Sequence, residues 1–317
     1  MLNSITALHY GTITLTTALP LVAATISQSR LSAAVTDAVN RQPQAEALIK
    51  RVYYTALFLM ETSAIISVMI GLLLFFRLPT QYYDALAETG IIFAVGITGT
   101  LVGGLSYWTA SQSLYAATRQ PDLGPKVITL TLMLMSIMQS PIIFGLLVAL
   151  FIHNQAVNIT SLGHAIRLIS AGFALGIGSI GPSFGLAMFG RSTCNALARY
   201  KNSYNNLFSF AFVSQAMIEG PILFALIVSF ILLFAVTLHP IETIAITRLI
   251  AAAISIGLST MGAGLASGYV ASKASQEIAK NPELTTLLSR TSQIGQALID
   301  TAPIYGLLIA MLLLFLK

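Results

Sequence analysis

The chain has 317 residues, 56% of them hydrophobic and only 9% charged, with a formal net charge of +5 and a mean hydropathy of +0.83. A water-soluble domain carries about 25% charged residues, so this composition excludes one and points to a polytopic membrane protein. The single Cys194 excludes an intrachain disulfide, the four histidines (His9, His153, His164, His239) stand near apolar-segment ends without metal-ligand spacing, and no basic run interleaved with aromatics points to nucleic acid.

Residues 1–29 hold no Lys or Arg, so the first apolar segment lacks the basic start of a cleavable signal and is predicted to be a first membrane helix. It ends at the polar turn Asn40-Arg41-Gln42-Pro43, and a second apolar segment, FLMETSAIISVMIGLLLFF, carries Glu61. A linker over 77–88, punctuated by Pro79, leads to a third segment and the turn Thr118-Arg119-Gln120-Pro121. The fourth segment, SIMQSPIIFGLLVALFI, holds Gln139, and the linker 153–164 follows. A fifth segment ends at Ala198-Arg199-Tyr200-Lys201, and the sixth, QAMIEGPILFALIVSFILLF, carries Glu219. After the linker 238–247 with Pro240, a seventh segment reaches Ala279-Lys280-Asn281-Pro282-Glu283, and the eighth, over 292–316, holds Asp300. Each segment reaches the ~20 residues that span a bilayer. The chain is therefore predicted to be all-α, with eight transmembrane helices in four tandem hairpins over 1–80, 81–158, 159–239 and 240–317.

The basic turn residues 41, 119, 199 and 280 are spaced by 78, 80 and 81, and twenty residues beyond them lie Glu61, Gln139, Glu219 and Asp300. Three mid-membrane acids at one repeat position are not a chance placement. A charge at bilayer depth costs ~2.5 kcal/mol or more, so such residues are functional candidates by default. Twelve of the sixteen Lys and Arg lie on the turn side, while Arg77, Arg167, Arg248 and Lys317 lie on the other. The positive-inside bias puts the turns in the cytoplasm and both termini outside. The first helices carry interleaved small-residue pairs: Gly262/Ala266 with Gly264/Gly268, Gly181/Gly185 with Ser183/Ala187, and Ala23/Ser27 with Thr25/Ser29. These suit close backbone approach in a tight inner layer. The second unit breaks the pattern, with Leu101/Leu105 and Gly103/Tyr107.

The stretch GAGLASGYVASKASQEIAKNPE followed by GQALIDTAPIYGLLIAMLLLFL resembles the proteolipid, or c-subunit, of rotary ATP synthases and ATPases. The resemblance covers the chain as four fused copies, closest in the fourth unit and most distant in the second. It implies a two-layered rotor ring (c-ring) built from copies of the chain in an energy-transducing membrane, as in a bacterial inner membrane, with first helices inside and second helices outside. It implies that Glu61, Glu219 and Asp300 load and unload an ion against the basic residue of the stator a-subunit. The turns, through Arg41, Gln42, Arg119, Gln120, Arg199, Lys280 and Asn281, are expected to meet a central stalk of gamma/epsilon type. Membrane lipid is the other expected contact, and no cofactor beyond the transported ion is implied. The chain has no Gly-rich phosphate loop, so it is expected to be a non-catalytic component.

Sodium-carrying members of the family place Gln on the first helix and Ser or Thr after the carboxylate. Gln28, Glu61 and Thr62 match; Glu219 has Leu186 and Gly220 at those positions, and Asp300 has Ser267 and Thr301. Sites passing one stator carry one ion, so the least equipped decide and the expectation is H⁺, with Na⁺ or a V/A-type ring as the alternative. Thr62, Ser140 and Thr301 are candidates to serve a neighbouring site. Tyr305, five past Asp300, is a further support candidate whose counterparts are Ile66, Phe144 and Phe224. Pro141, Pro221 and Pro303 each lack an N–H and release the carbonyls of Ile137, Met217 and Ile299. Gln139 cannot release a proton, so the second hairpin is expected to be silent. A repeat-built secondary transporter is the alternative of another class, disfavoured because four two-helix repeats share one orientation and leave no inverted pair.

Overall fold

The computed structural model describes residues 2–234 and 242–315. His239, Pro240 and Lys317 fall outside the described residues. Among those described, every regular element is helical, as lipid demands of a chain that must satisfy its backbone polar groups internally. The helices are α1 (Leu2–Arg41), α2 (Pro43–Phe75), α3 (Tyr82–Arg119), α4 (Pro121–Gln155), α5 (Leu162–Arg199), α6 (Lys201–Phe234), α7 (Glu242–Lys280) and α8 (Pro282–Phe315).

One turn geometry recurs four times. Gln42, Gln120, Tyr200 and Asn281 have φ between −139° and −128° and ψ between 63° and 83°, and a single 3₁₀ turn follows each. Proline opens three of those turns, where its missing N–H has no partner to lose. Lys201 opens the third with the same backbone.

The first helices α1, α3, α5 and α7 stand side by side, and α2, α4, α6 and α8 form a second layer. Each second helix seats against its own first helix and, within the chain, the following one, as α2 does on α1 and α3 and α6 does on α5 and α7. Between α5 and α7 the backbones nearly touch: a Cβ at Gly181 would strike the Met261 carbonyl, one at Gly268 would strike Gly185, and Gly264 lies on Pro182. Such small-residue seams let dispersion hold helices together in lipid. In the second unit the seam to α1 uses Gly96, Gly99, Gly103 and Gly104, with the Ser27 hydroxyl donating to the Gly104 carbonyl at 2.8 Å. The first helices pack closely along the row, and the second helices touch one another sparingly. The row is open at α1/α2 and at α7/α8. At the open ends Thr25 and Ser29 are exposed, and nothing approaches within 4 Å of a Cβ built on Gly262.

The helices are not all continuous. Interruptions fall at Ser179, at Met138–Gln139 and at Asp300, each about three residues before a proline (Pro182, Pro141, Pro303), whereas α1 and α6 run through Pro20 and Pro221. In α3 a π-helical stretch, Ile92–Ile97, follows Gly90, where a Cβ would meet the Leu168 carbonyl oxygen at 2.8 Å. This widened turn accommodates the close crossing of α3 and α5.

Apolar side chains form two buried clusters. One contains Met60, Met138, Leu186 and Ile218 and extends toward the turns; the other contains Ile70, Ile142, Ile222 and Ala310 and extends toward the linkers. They meet at the level of residues 61, 139 and 219.

On the linker side a polar clasp gathers around α3. His9 Nδ1 lies 2.7 Å from Glu88 Oε2, both side chains fully buried, and Arg77 approaches Glu88 Oε1 at 3.8 Å while donating to the His153 carbonyl. Asp84 accepts from Thr80, from Gln81 N–H at 3.1 Å and from Ile159 N–H at 2.7 Å, tying the first two linkers together. His9 is thus an interior residue paired with an acid. Cys194 is buried, 3.2 Å from Ser113 Oγ across the α3–α5 seam.

Candidate ion-carrying sites

The four repeat positions lie within the second-helix layer, each in a different setting. Glu61 on α2 is half-buried, and Gln28 Nε2 on α1 donates to its Oε2. Gln28 lies on α1 at the depth where α2 passes Glu61, so a residue pair 33 apart in sequence becomes one contact. Thr62 is half-buried beside it.

Gln139 is 3% exposed. It lies in the gap between the two halves of α4, and its amide donates to the Met135 carbonyl at 3.3 Å while Oε1 has no partner. Glu219 is half-buried on α6, with Ser140 of the preceding hairpin beside its carboxylate and Leu186 fully buried in the core. Asp300 is half-buried in the interruption of α8, and its Oδ1 has no hydrogen-bond partner. A Cβ built on Gly220 of α6 would lie 3.9 Å from Asp300 Oδ2. Each of these two sites therefore borders the residue that follows the repeat position in the preceding hairpin.

Ser267 is fully buried, and its hydroxyl is unpartnered. Thr301 donates to the Leu298 carbonyl at 2.7 Å. Tyr305 is 65% exposed on the open edge of α8, away from the packed side. Two residues that the repeat pattern did not single out stand one turn before the carboxylates, on the same helix faces: Gln215 and Gln296, both fully buried with unpartnered carbonyl oxygens. Gln215 Nε2 reaches the Leu134 carbonyl of α4 at 2.9 Å. Their common offset of four from Glu219 and Asp300 was the available signal. Among the described residues no three His, Cys, Asp or Glu side chains converge on a metal-sized site.

The turns form their own row. Gln120 Nε2 donates to the Ala198 carbonyl at 3.2 Å, and Asn206 donates to the Pro282 carbonyl at 3.3 Å, so neighbouring hairpins are linked at this end. Arg41 pairs with Asp37 at 2.9 Å and Lys280 with Glu277 at 2.6 Å. Arg119 donates to the Tyr115 hydroxyl at 2.8 Å. Gln42, Arg199 and Asn281 occupy equivalent places in the remaining turns.

Comparison with known proteins matches the ATP synthase C-subunit family over residues 169–232 and again over 250–313, the third and fourth hairpins. The chain is 42% identical over 74 residues to the ATP synthase c-subunit numbered 2 of Cereibacter sphaeroides, covering 23% of this chain and 89% of that protein. It is 43% identical over 65 residues to an ATP synthase c-subunit from Bacillus thuringiensis, covering 20% of this chain and 90% of that protein. Eight membrane-length helices in hairpins, a carboxylate at the repeat position of three of them and near-complete coverage of single-hairpin relatives agree: the chain belongs to the ATP synthase C-subunit family, as an integral membrane protein of fused hairpins.

Proposed function

We propose that this chain is a rotor-ring component that carries H⁺ through the membrane on Glu61, Glu219 and Asp300. The observation that carries the reading is the recurrence of a half-buried carboxyl at one repeat position on three of the four second helices, near the level where two apolar clusters meet. Loaded, a carboxyl is neutral and can face lipid; unloaded, it is charged and must remain beside a stator cation. Stepping the row past that cation couples ion flow to rotation, and the cytoplasmic turns pass the rotation to a central stalk.

Site chemistry favours H⁺ over Na⁺. A hard cation needs several oxygen ligands. Gln28 donates its amide N–H to Glu61, which leaves one amide oxygen as a ligand at that site, and the same first-helix position holds Leu186 and Ser267, with no amide, at the other two. Glu219 has one neighbouring hydroxyl and an apolar Leu186; Asp300 faces Gly220. Proline-interrupted helix at Asp300 leaves backbone carbonyls near the carboxyl as acceptors for its proton.

The open ends match each other by repeat position. Gly262/Ala266 on α7 correspond to Gly181/Gly185, whose partners within the chain are the counterparts of Thr25/Ser29. A second copy therefore docks its α1 on α7, and copies close into a ring whose hairpin number is a multiple of four. By the rule seen at Glu219 and Asp300, Glu61 then borders Thr301 of the neighbouring copy.

Labelling by a hydrophobic carbodiimide, which modifies protonated carboxyls, mapped by mass spectrometry across pH and with or without Na⁺, tests the reading. The expected result is labelling of Glu61, Glu219 and Asp300 that falls as pH rises and ignores Na⁺. Protection by Na⁺ at all three would reverse the ion assignment. Labelling of Asp300 alone would reduce the chain to one working site.

A further inference from the structure

We propose that the junction between two copies of this chain is locked by an ion pair, Lys273 of one copy on Asp37 of the next. The inference rests on the head-to-tail packing of copies proposed above and adds the contact that sets its register.

The first-helix row repeats one contact. Seven residues before the basic turn residues stand Ala34, Gln112, Ser192 and Lys273; four before them stand Asp37, Tyr115, Asn195 and Gln276. Within the chain, the seventh place of one hairpin meets the fourth place of the next. Between α3 and α5, Asn195 Nδ2 donates to Gln112 Oε1 at 2.7 Å. Between α5 and α7, Gln276 Nε2 donates to Ser192 Oγ at 2.9 Å. Between α1 and α3, Ala34 and Tyr115 line one groove. Deeper in the row the small-residue seams keep the same register, with Ser27 on Gly104 and Gly185 on Gly264. Continued across the open ends, this register puts Lys273, at the seventh place on α7, against Asp37, at the fourth place on α1 of the following copy.

Charge appears at these two places only where the chain leaves them unmatched. All the residues that meet there within the chain are uncharged, Lys273 is the one cation at the seventh place and Asp37 the one acid at the fourth. Lys273 is exposed and rests over the Tyr269 ring, 5.8 Å from its centroid, while Glu277, one turn along, is taken by Lys280 at 2.6 Å. Asp37 is held by Arg41 of its own helix at 2.9 Å, yet its side chain is still 58% exposed and can accept a second cation. The next turn repeats the arrangement. Three residues before the turns stand Ala38, Ala116, Ala196 and Glu277, and Ala38 shares its groove with Arg119 of the following hairpin. An acid again occurs only at the open end, where the register brings it to Arg41 of the next copy. Lys273 and Glu277 on α7 thus oppose Asp37 and Arg41 on α1 as alternating charges. Linkers bring the inner seams together, whereas the junction must be found by diffusion, and complementary charge steers such an encounter and fixes its register.

A water-soluble carbodiimide tests the contact in the unaltered protein, because it joins a lysine amine to a touching carboxylate as an amide and leaves as its urea, carrying off the elements of water. Applied to the protein assembled in neutral detergent, it should yield an Asp37–Lys273 cross-linked peptide by mass spectrometry. That peptide should occur only in species of more than one chain, since α1 and α7 stand at opposite ends of the row. Lys273→Glu and Asp37→Lys, each alone, exchange attraction for repulsion and should shorten the half-life of the multi-copy assembly on warming, read by native mass spectrometry, about fivefold or more. The effect should fade at about 1 M salt, where the screening length is about 3 Å. The chain carrying both substitutions should regain the original half-life. Unaltered protein found only as single chains would overturn the head-to-tail reading and the pair together. Multi-copy assemblies without the cross-linked peptide, single reversals without effect, or a double reversal no better than the single ones would overturn the pair and leave the head-to-tail reading standing.

Discussion

Restoring a carboxylate to the second hairpin is the sharpest perturbation of the rotor. Gln139 occupies the repeat position of Glu61, Glu219 and Asp300, in a gap of α4. Gln139→Glu keeps the side-chain length, and the new carboxyl can take over the bond to the Met135 carbonyl when protonated, as an O–H donor in place of the amide N–H. The site is already half formed, because the α4 interruption lies beside it. Each chain then carries four ions per passage instead of three, a ratio of 4/3 set by the count of carboxylates in four hairpins. At equilibrium the free energy of ATP balances the ion force multiplied by ions per ATP, so the force at which synthesis reverses to hydrolysis falls to about three quarters. The assay places the purified holoenzyme in liposomes, imposes graded ion gradients at fixed ATP and ADP, and finds the null point. Carbodiimide labelling of the substituted position verifies that it is loaded. A labelled, active variant with an unchanged null point refutes the reasoning, because it would mean that Gln139 already passes an ion or that the stator skips this hairpin.

Three further outcomes are expected. Thr301→Val alters the carbodiimide labelling rate of Glu61 more than that of Asp300 in the assembled protein, read by mass spectrometry, since in the proposed ring Thr301 faces the neighbouring copy's first site; an effect confined to Asp300 contradicts the head-to-tail order. Gly264→Val places bulk against Pro182, where over-packing costs about 1–3 kcal/mol or more, and lowers the chain's resistance to denaturing detergent; unchanged resistance counts against the small-residue seam. Glu88→Ala strands the buried His9 and removes the anion facing Arg77, a loss of about 3–5 kcal/mol for a broken buried pair, measured as lower resistance to denaturing detergent, whereas Glu46→Ala at the exposed pair with Lys50 changes it by under about 1 kcal/mol.

What could be read from sequence was whatever the bilayer makes expensive. An acid or amide within an apolar run has a steep free-energy cost, so Glu61, Gln139, Glu219 and Asp300 stand out at once, and the basic turns stand out by the same contrast. Contacts between distant residues of ordinary type left no such mark. The His9–Glu88 pair spans 79 residues, and neither partner lies in mid-membrane. Gly96 and Gly99, which carry the α1–α3 seam, sit outside the offsets at which small pairs recur elsewhere, so the second unit looked unpaired when it had only shifted its contact. Pro182 was visible but stood on a first helix, away from the carboxylates, and the interruption it makes at Ser179 went unread. The third turn shows the converse. It lacks the proline of the other three, yet Tyr200 keeps the dihedrals of its counterparts, because the packing of α5 against α6 sets the turn and proline merely suits it.

The linkers that Asp84 and Arg77 pin down change what inheritance can do to such a machine. In a rotor assembled from separate identical hairpins, one codon writes every position, and a substitution at the carrying residue strikes the whole circle together. Joined hairpins break that identity. Each position has its own codon and a fixed neighbour on either side, so amide, glutamate and aspartate can stand in a set order around the axis. In the proposed ring an amide such as Gln139 then recurs at every fourth place, leaving the rotor with a rhythm instead of a fault.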